Sequence, residues 1–267
     1  DFRYYDTFLP MLKEAGLGLG FVYEMKTNLA RRQIDALLAA GLGAAQLGIE
    51  TFIPALLRRI GKGATAIHNL QTLKWFSAAG VEVKWNVLYG FPGEDPADYA
   101  RFAELLPKLF HLHPPLAVGR VRLDRFSPYF EDPAGHGMKD PRPNRAFRFV
   151  YPFPADSLAR LAYYFEYDYA DGRTLDYAAE ALAACARWQE LQGAAALRQF
   201  DRGDGVLILS DTRPCAAAFQ RRLTGAERAI YLFCDEGRPL KRIVEFAAPL
   251  AEDAVRKILD RFLAENL

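Results

Sequence analysis

Glu24 and Lys26 stand two residues apart in the run FVYEMK. In an extended strand that spacing puts both side chains on one face. A carboxylate beside an ammonium can hold the amino and carboxylate groups of a zwitterionic ligand through charge-assisted hydrogen bonds. The same two groups can equally pair with a neighbour such as Glu50. Gln46 and Glu50 close the next apolar run, and Asn86 lies in a third, VKWNVLY, just ahead of Gly90-Phe91-Pro92-Gly93. Glycine has no Cβ, so exposed backbone at Gly90 and Gly93 would let a flat base approach closely. A fourth run brings Arg120, Arg122, Asp124 and Arg125, suited to a carboxylate or phosphate ligand, or to salt bridges with Glu50 or Asp124. Polar groups at four successive strand ends are costly to bury unless they bind something or pair.

Other chemistry is thin. His68, His111, His113 and His136 lack metal-ligand spacing with cysteines or paired carboxylates. Cys185, Cys215 and Cys234 are too scattered for a metal or cluster motif and fit free thiols in a reducing cytoplasm. No Ser-His-Asp or Cys-His arrangement stands out. The aromatic run Tyr163, Tyr164, Phe165, Tyr167 and Tyr169 reads as core or interface.

The elements that would position these groups follow from periodicity. Alternating runs at 17–26, 44–49, 81–89 and 117–126 predict strands, and the runs between them predict helices at 29–40, capped by Asn28, at 65–79 and at 96–110. A strand–helix rhythm of this kind implies right-handed parallel βαβ units, whose ligands bind at the carboxyl edge of the sheet. Residues 131–154, rich in Pro, Gly and Arg, read as a long surface loop, followed by helices at 155–169 and 173–191. Beyond Ala195, two short strands flank Arg202-Gly203-Asp204-Gly205, a hairpin signal. Three helices follow, the first with Thr224 and Glu227 spaced as a capping box. The fold class read from this pattern is α/β: a partial (β/α) barrel fragment, then a small α+β winged-helix-like domain. The domain reading is 1–130 barrel, 131–194 loop and helical extension, 195–267 C-terminal domain.

Composition supports a large core, with 51% hydrophobic residues in 267. Thirty-four basic and 33 acidic residues leave a net charge of +1, which gives no footprint for nucleic acid or an anionic membrane. No apolar run approaches the roughly 18 residues of a membrane span, and no signal peptide opens the chain, so the expected location is cytoplasmic. The chain opens inside a predicted helix, at 5–15, without Met, and is read as part of a longer protein.

The segments FVYEMKTNL, QLGIETF, WNVLYGFPGEDPADYARF, VRLDRFSPYFEDP and FVYPFPADSLARLAYYFEYDY resemble the cobalamin-dependent radical SAM enzymes. The nearest group is the RiPP maturation radical SAM C-methyltransferases. The resemblance covers about residues 1–169 well and the remainder more loosely. It implies a radical SAM partial barrel that uses S-adenosylmethionine (SAM), a [4Fe–4S] cluster and cobalamin to methylate a ribosomally made precursor peptide. The family's cobalamin domain and CxxxCxxC loop are not in this sequence, so cluster and cobalamin ligands would lie outside it and the piece alone would be inactive. By the same resemblance Glu24, Lys26, Glu50, Asn86 and Gly90 line the SAM wall. Arg122, Asp124, Arg125 and Tyr129 face the substrate. The C-terminal piece is similar to PqqD-like elements, which add a leader peptide as a strand along the hairpin edge. The competing expectation is a non-catalytic peptide-binding module with a degenerate barrel.

Overall fold

The computed structural model describes residues 2–267. The first helix, α1 (Phe8–Glu14), precedes the strand β1 (Phe21–Met25). Then come α2 (Arg31–Ala39), β2 (Leu42–Leu47), α3 (Pro54–Arg59) and α4 (Ala66–Ala78). Next are β3 (Glu82–Lys84), β4 (Asn86–Tyr89), α5 (Pro96–Leu105) and β5 (Ala117–Arg120). β1, β2 and β3 pair in parallel, as do β4 and β5. β3 and β4 are one run interrupted at Trp85. A parallel bridge from Glu50 to Val87 joins the two sheets, with the Leu88 N–H donating to the Glu50 carbonyl at 2.9 Å. The result is a four-strand wall in chain order, as the βα rhythm predicts.

The wall has a helix face and an open face. Val83, Trp85 and Val87 are buried, while Lys84, Asn86 and Leu88 between them are partly exposed. Trp85 packs edge-on to Phe52 at 5.3 Å and to Trp188 at 5.6 Å, and its indole N–H donates to the His113 carbonyl at 3.0 Å. Such aromatic pairs each add about 0.5–1.5 kcal/mol beyond the area they bury. Two helix starts follow local rules. Thr65 and His68 cap each other's N–H groups at the start of α4. Asp95 accepts from the Ala97 N–H at 2.9 Å, with Pro96 in the first turn of α5. Asn28 does not cap α2; the N-cap is Ala30, whose N–H donates to Gln33 at 2.8 Å.

The chain then leaves the parallel wall. Instead of one strand over 117–126, it forms β5 and, after a bend, β6 (Leu123–Asp124). Next come α6 (Pro128–Glu131), β7 (Met138–Pro143), the single turn α7 (Phe147–Val150), α8 (Ala155–Leu161) and β8 (Tyr164–Tyr169). β6, β8 and β7 form an antiparallel sheet with β8 in the middle. The predicted surface loop at 131–154 thus holds a strand, and the predicted helix 155–169 ends at Leu161. The reason is visible in YFEYDY: Tyr167 and Tyr169 are buried while Asp168 is exposed, a period of two. The predicted helix 173–191 is shorter, α9 (Ala179–Glu190) behind a 3₁₀ turn at Asp176–Ala178. Met138, Tyr167, Tyr169, Cys185 and Trp188 all join the barrel's own core.

The C-terminal unit has three strands rather than two: β9 (Leu197–Asp201), β10 (Val206–Asp211) and β11 (Gln220–Thr224), antiparallel with β10 central. The helices α10 (Gly225–Phe233), α11 (Leu240–Phe246) and α12 (Glu252–Ala264) cover one face around Leu207, Leu209, Leu223, Ile230 and Phe262. The expected capping box does not form. The Glu227 carboxylate instead meets Arg261, linking α10 to α12. This unit joins the barrel through Arg213, which is buried in an ion pair with Asp211 and donates to the Lys108 and Asn266 carbonyls at 2.6 Å each. Asp235 adds a second tie, accepting from Lys74 at 2.9 Å and from the Trp75 indole at 3.2 Å. Among the described residues no helix is long and apolar enough to cross a membrane.

Candidate functional site

Parallel pairing brings the carboxyl ends of β1, β2 and β4 to one rim. In register, Glu24, Gln46 and Lys84 are neighbours across three strands and so share the open face. Gln46 donates to Glu24 Oε1 at 2.8 Å. Lys26, just beyond β1, is exposed and has no ion-pair or hydrogen-bond partner among the described residues. Glu24 and Lys26 do not engage Glu50. That carboxylate meets Lys62 at 2.6 Å, from a backbone with φ of 60°. A left-handed conformation is rare for a glutamate and marks a position fixed by its surroundings. Asn86 stands half-buried on the same open face as Lys84.

A buried network missed in the sequence sets this rim. Asn69, on α4, donates to the Ile49 carbonyl at 3.1 Å and to the Thr51 carbonyl at 2.9 Å. The Thr27 hydroxyl donates to the Asn69 amide oxygen, and the Thr72 hydroxyl donates to the Thr27 carbonyl at 2.6 Å. One helix thereby pins the chain just past β1 and just past β2, on either side of Lys26 and Glu50. A sequence signal existed: Asn69 and Thr72 are polar positions three apart on a helix face that also carries Leu73 and Phe76.

The turn after β4 is more enclosed than expected. Gly90 is buried, with φ of 80°. Its N–H donates to Glu94 Oε2 at 2.9 Å, and its carbonyl accepts from the Tyr169 hydroxyl. A Cβ at Gly90 would lie 2.7 Å from the Tyr169 hydroxyl and 3.2 Å from both Arg120 and Leu175. The open approach for a flat base expected at Gly90 is therefore filled by protein. Gly93 remains exposed, with the Arg59 guanidinium lying across it. Glu94 also accepts from Tyr99 at 2.8 Å and from Tyr177 at 2.7 Å. Burial, together with the charge of Glu94, raises both phenols far above their ordinary pKa, so they remain neutral donors.

The residues assigned to the substrate side diverge from the parallel wall. Arg120, which was not among them, ends β5 in the wall beside two tyrosine rings, 4.1 Å from the centre of Tyr167 and 4.5 Å from that of Tyr169. Arg122 is exposed over Tyr164 and bonds Asp124 at 3.2 Å. Asp124 Oδ1 is buried without a partner among the described residues. Arg125 donates to the Ala162 carbonyl at 2.7 Å and to that of Ala159, so it closes the carboxyl end of α8. It bonds neither Glu50 nor Asp124 among the described residues. Tyr129 packs against Phe91 at 6.2 Å and edge-on to His136 at 4.8 Å, which keeps it beside the Gly90 turn.

Among the described residues no group of three His, Cys, Asp or Glu side chains is placed to hold a metal. Cys185 is sealed in the core, where burial pushes its thiol up to about 12. These residues do not fit an iron–sulfur cluster. Two shallow clefts open away from the rim, at the amino-terminal side of the strands. One is lined by 16–20 with 39–41, the other by 82–84 with 113–116.

Residues 5–106 match the family model of the radical SAM superfamily. Among solved structures the chain is similar to the radical SAM methyltransferase TsrM from Kitasatospora setae, solved with tryptophan substrate and the SAM analogue aza-SAM. The TM-score is 0.46 and the identity 15%, over 74% of this chain and 40% of that one. A second TsrM structure, with cobalamin and a [4Fe–4S] cluster bound, gives 0.45 and 16% over 73% and 40%. The Elp3 of Methanocaldococcus infernus gives 0.37 and 12% over 72% and 53%. The chain thus spans about half or less of the length of these neighbours. No curated protein matches it.

Proposed function

We propose that this chain is the SAM- and substrate-facing part of a cobalamin-dependent radical SAM methyltransferase that C-methylates a ribosomally made peptide. The observation that carries the reading is a coincidence of position. The superfamily match over 5–106 covers the strands whose carboxyl ends bring Glu24, Lys26 and Glu50 to one rim, with Asn86 opening β4 on the same face. Cobalamin, C-methylation and the peptide substrate rest on the sequence resemblance over 1–169. The cluster, for which no residues here fit, would be held by residues outside these 267.

Lys26 offers an unpaired ammonium to the SAM carboxylate, and Glu24 offers a carboxylate to its amino group. SAM held there supplies radical and methyl chemistry; the chain's part is to bind it, orient it and keep water out. Arg122, Asp124 and Tyr129 border the space beyond, on the substrate side. Isothermal calorimetry tests the wall directly. SAM should bind the chain, and Lys26→Ala or Glu24→Gln should weaken binding about tenfold, the loss of one charge-assisted hydrogen bond. Equal SAM affinity in both variants and the parent would remove this reading.

A second reading has its own support. β9 is an edge strand with Arg198, Gln199 and Phe200 exposed, a surface suited to pairing with an extended peptide. On this reading the C-terminal unit is a winged-helix-like or PqqD-like recognition element, and the chain could be a binding module with a degenerate barrel. Leader-peptide affinity that Phe200→Asp abolishes, with no SAM binding anywhere, would favour the module over the enzyme.

A further inference from the structure

Gly90 is the most constrained residue at the rim, and its constraints come from the other sheet. A free glycine visits positive and negative φ almost equally. Here φ is held at 80° with both peptide polar atoms engaged, the N–H by Glu94 and the carbonyl by Tyr169. Glu94 is itself held, Oε1 by Tyr99 and Oε2 by Tyr177. Tyr169 belongs to β8, and Tyr177 to the 3₁₀ turn ahead of α9. Tyr99 sits on α5, edge-on to Tyr177 at 5.1 Å between ring centres. Tyr169 reaches the Gly90 carbonyl directly, and Tyr177 reaches the Gly90 N–H through Glu94, both from elements outside the parallel wall.

We infer that Tyr169 and Tyr177 are positioning residues. They clamp the 90–94 turn, Tyr169 from the antiparallel sheet and Tyr177 from the 3₁₀ turn ahead of α9, and so hold the carboxyl end of β4, the strand that Asn86 opens, in the geometry the rim needs for its ligand. The ligand part of this statement rests on the SAM reading proposed above; the clamp part does not. Because Gly90 has no free polar atom, its role is to let the turn be locked rather than to touch the ligand. The clamp also fixes how the second sheet stands against the first: Phe91 of the same turn carries Tyr129 at 6.2 Å. Movement of β8 would therefore reach both the SAM side and the substrate side of the rim.

The test uses the whole 267-residue chain and three single-atom deletions. Tyr169→Phe and Tyr177→Phe each remove one clamp hydroxyl and keep the ring. Tyr164→Phe removes a hydroxyl from the other end of β8, where the ring packs edge-on to Tyr163 at 5.2 Å and under Arg122, away from the turn. Amide hydrogen exchange at Gly90, Phe91, Gly93 and Glu94 should quicken about 5- to 10-fold in the first two variants and stay unchanged in the third, the effect of losing one hydrogen bond. SAM affinity, measured by calorimetry, should weaken by a similar factor in the first two only. Should Tyr169→Phe not fold, Tyr177→Phe decides alone. Unchanged exchange in the clamp variants overturns the inference even if SAM binds. Quickened exchange in a chain that never binds SAM keeps the clamp and removes the SAM reading. Equal effects of all three variants would show a merely structural role and also overturn it.

Discussion

Gly90 and Gly93 both sit at positive φ, 80° and 75°, yet their surroundings differ. A methyl group at Gly90 would press on a tyrosine hydroxyl that is itself bonded to the same residue. A methyl group at Gly93 would meet only the tip of Arg59, at 2.5 Å, and that flexible side chain can swing into solvent. Gly93→Ala should therefore cost about 1 kcal/mol, the backbone share alone. Gly90→Ala should cost about 2–4 kcal/mol, because the Tyr169 bond must break as well. Urea melts of the two variants give the comparison directly. The sequence run GFPGE announced a turn, and the two glycines were legible as glycines of a turn. That one is sealed and the other open was not, because Tyr169 lies 79 residues downstream. Arg125 teaches the same lesson: on sequence it looked like a ligand group, yet it spends its donors on the carbonyls of α8.

At the level of elements, α4 does more than fill a βα crossover. Through Asn69 it reaches the Ile49 and Thr51 carbonyls, the first of which also accepts from the Thr51 N–H at 2.7 Å. Asn69→Ala would leave the Thr51 carbonyl and the Thr27 hydroxyl without this partner in the interior, and the Ile49 carbonyl with the Thr51 N–H alone. It should destabilise the chain by about 2–4 kcal/mol. Calorimetric melting would show the loss, and SAM binding should weaken in the same variant because Lys26 and Glu50 flank the network. The strand β8 was misread as helix for a physical reason. Tyr-Phe-Glu-Tyr-Asp-Tyr offers aromatic residues at both periods, and only pairing with β6 and β7 made the two-residue period pay off in burial. The run through β3 and β4 was easier to read, since Val83, Trp85 and Val87 alternate with Lys84, Asn86 and Leu88.

For the molecule as a whole, the decisive contact is Arg213 between the barrel and the C-terminal unit. Its guanidinium is paired with Asp211 and both side chains are nearly inaccessible, at 2% and 4% exposure. Asp211→Ala would strand a buried cation and should cost about 3–5 kcal/mol in urea unfolding. His111 lies at the same junction, its Nδ1 buried without a partner among the described residues. Burial first, and then the positive charge of Arg213, lowers its pKa from 6.5 to about 4, against the opposing pull of Asp211. The folded chain thus resists protonation that the unfolded chain accepts. This residue's contribution to stability is fully present above pH 6.5 and is lost as pH falls from 6.5 through about 4. The loss is on the order of 3 kcal/mol. His111→Gln should flatten the slope of stability against pH across that window, leaving the carboxylate-driven slope below it.

From its own residues the chain determined the βα order, the parallel wall, the carboxyl rim with its acidic, basic and amide groups, and the hairpin followed by three helices. These are local outcomes: periodicity and glycine punctuation act over a few residues, and right-handed βα crossovers then stack the strands in order. Tertiary structure alone decided which rim groups stay free and which are consumed. Among the described residues Lys26 stays free, whereas Glu50 takes Lys62, Glu94 takes two tyrosines and Gly90 is closed by a third. Glu50 and Lys62 are 12 positions apart, Glu94 and Tyr177 83, and Gly90 and Tyr169 79; no short-range rule ranks one distant partner over another, and only the packed chain does.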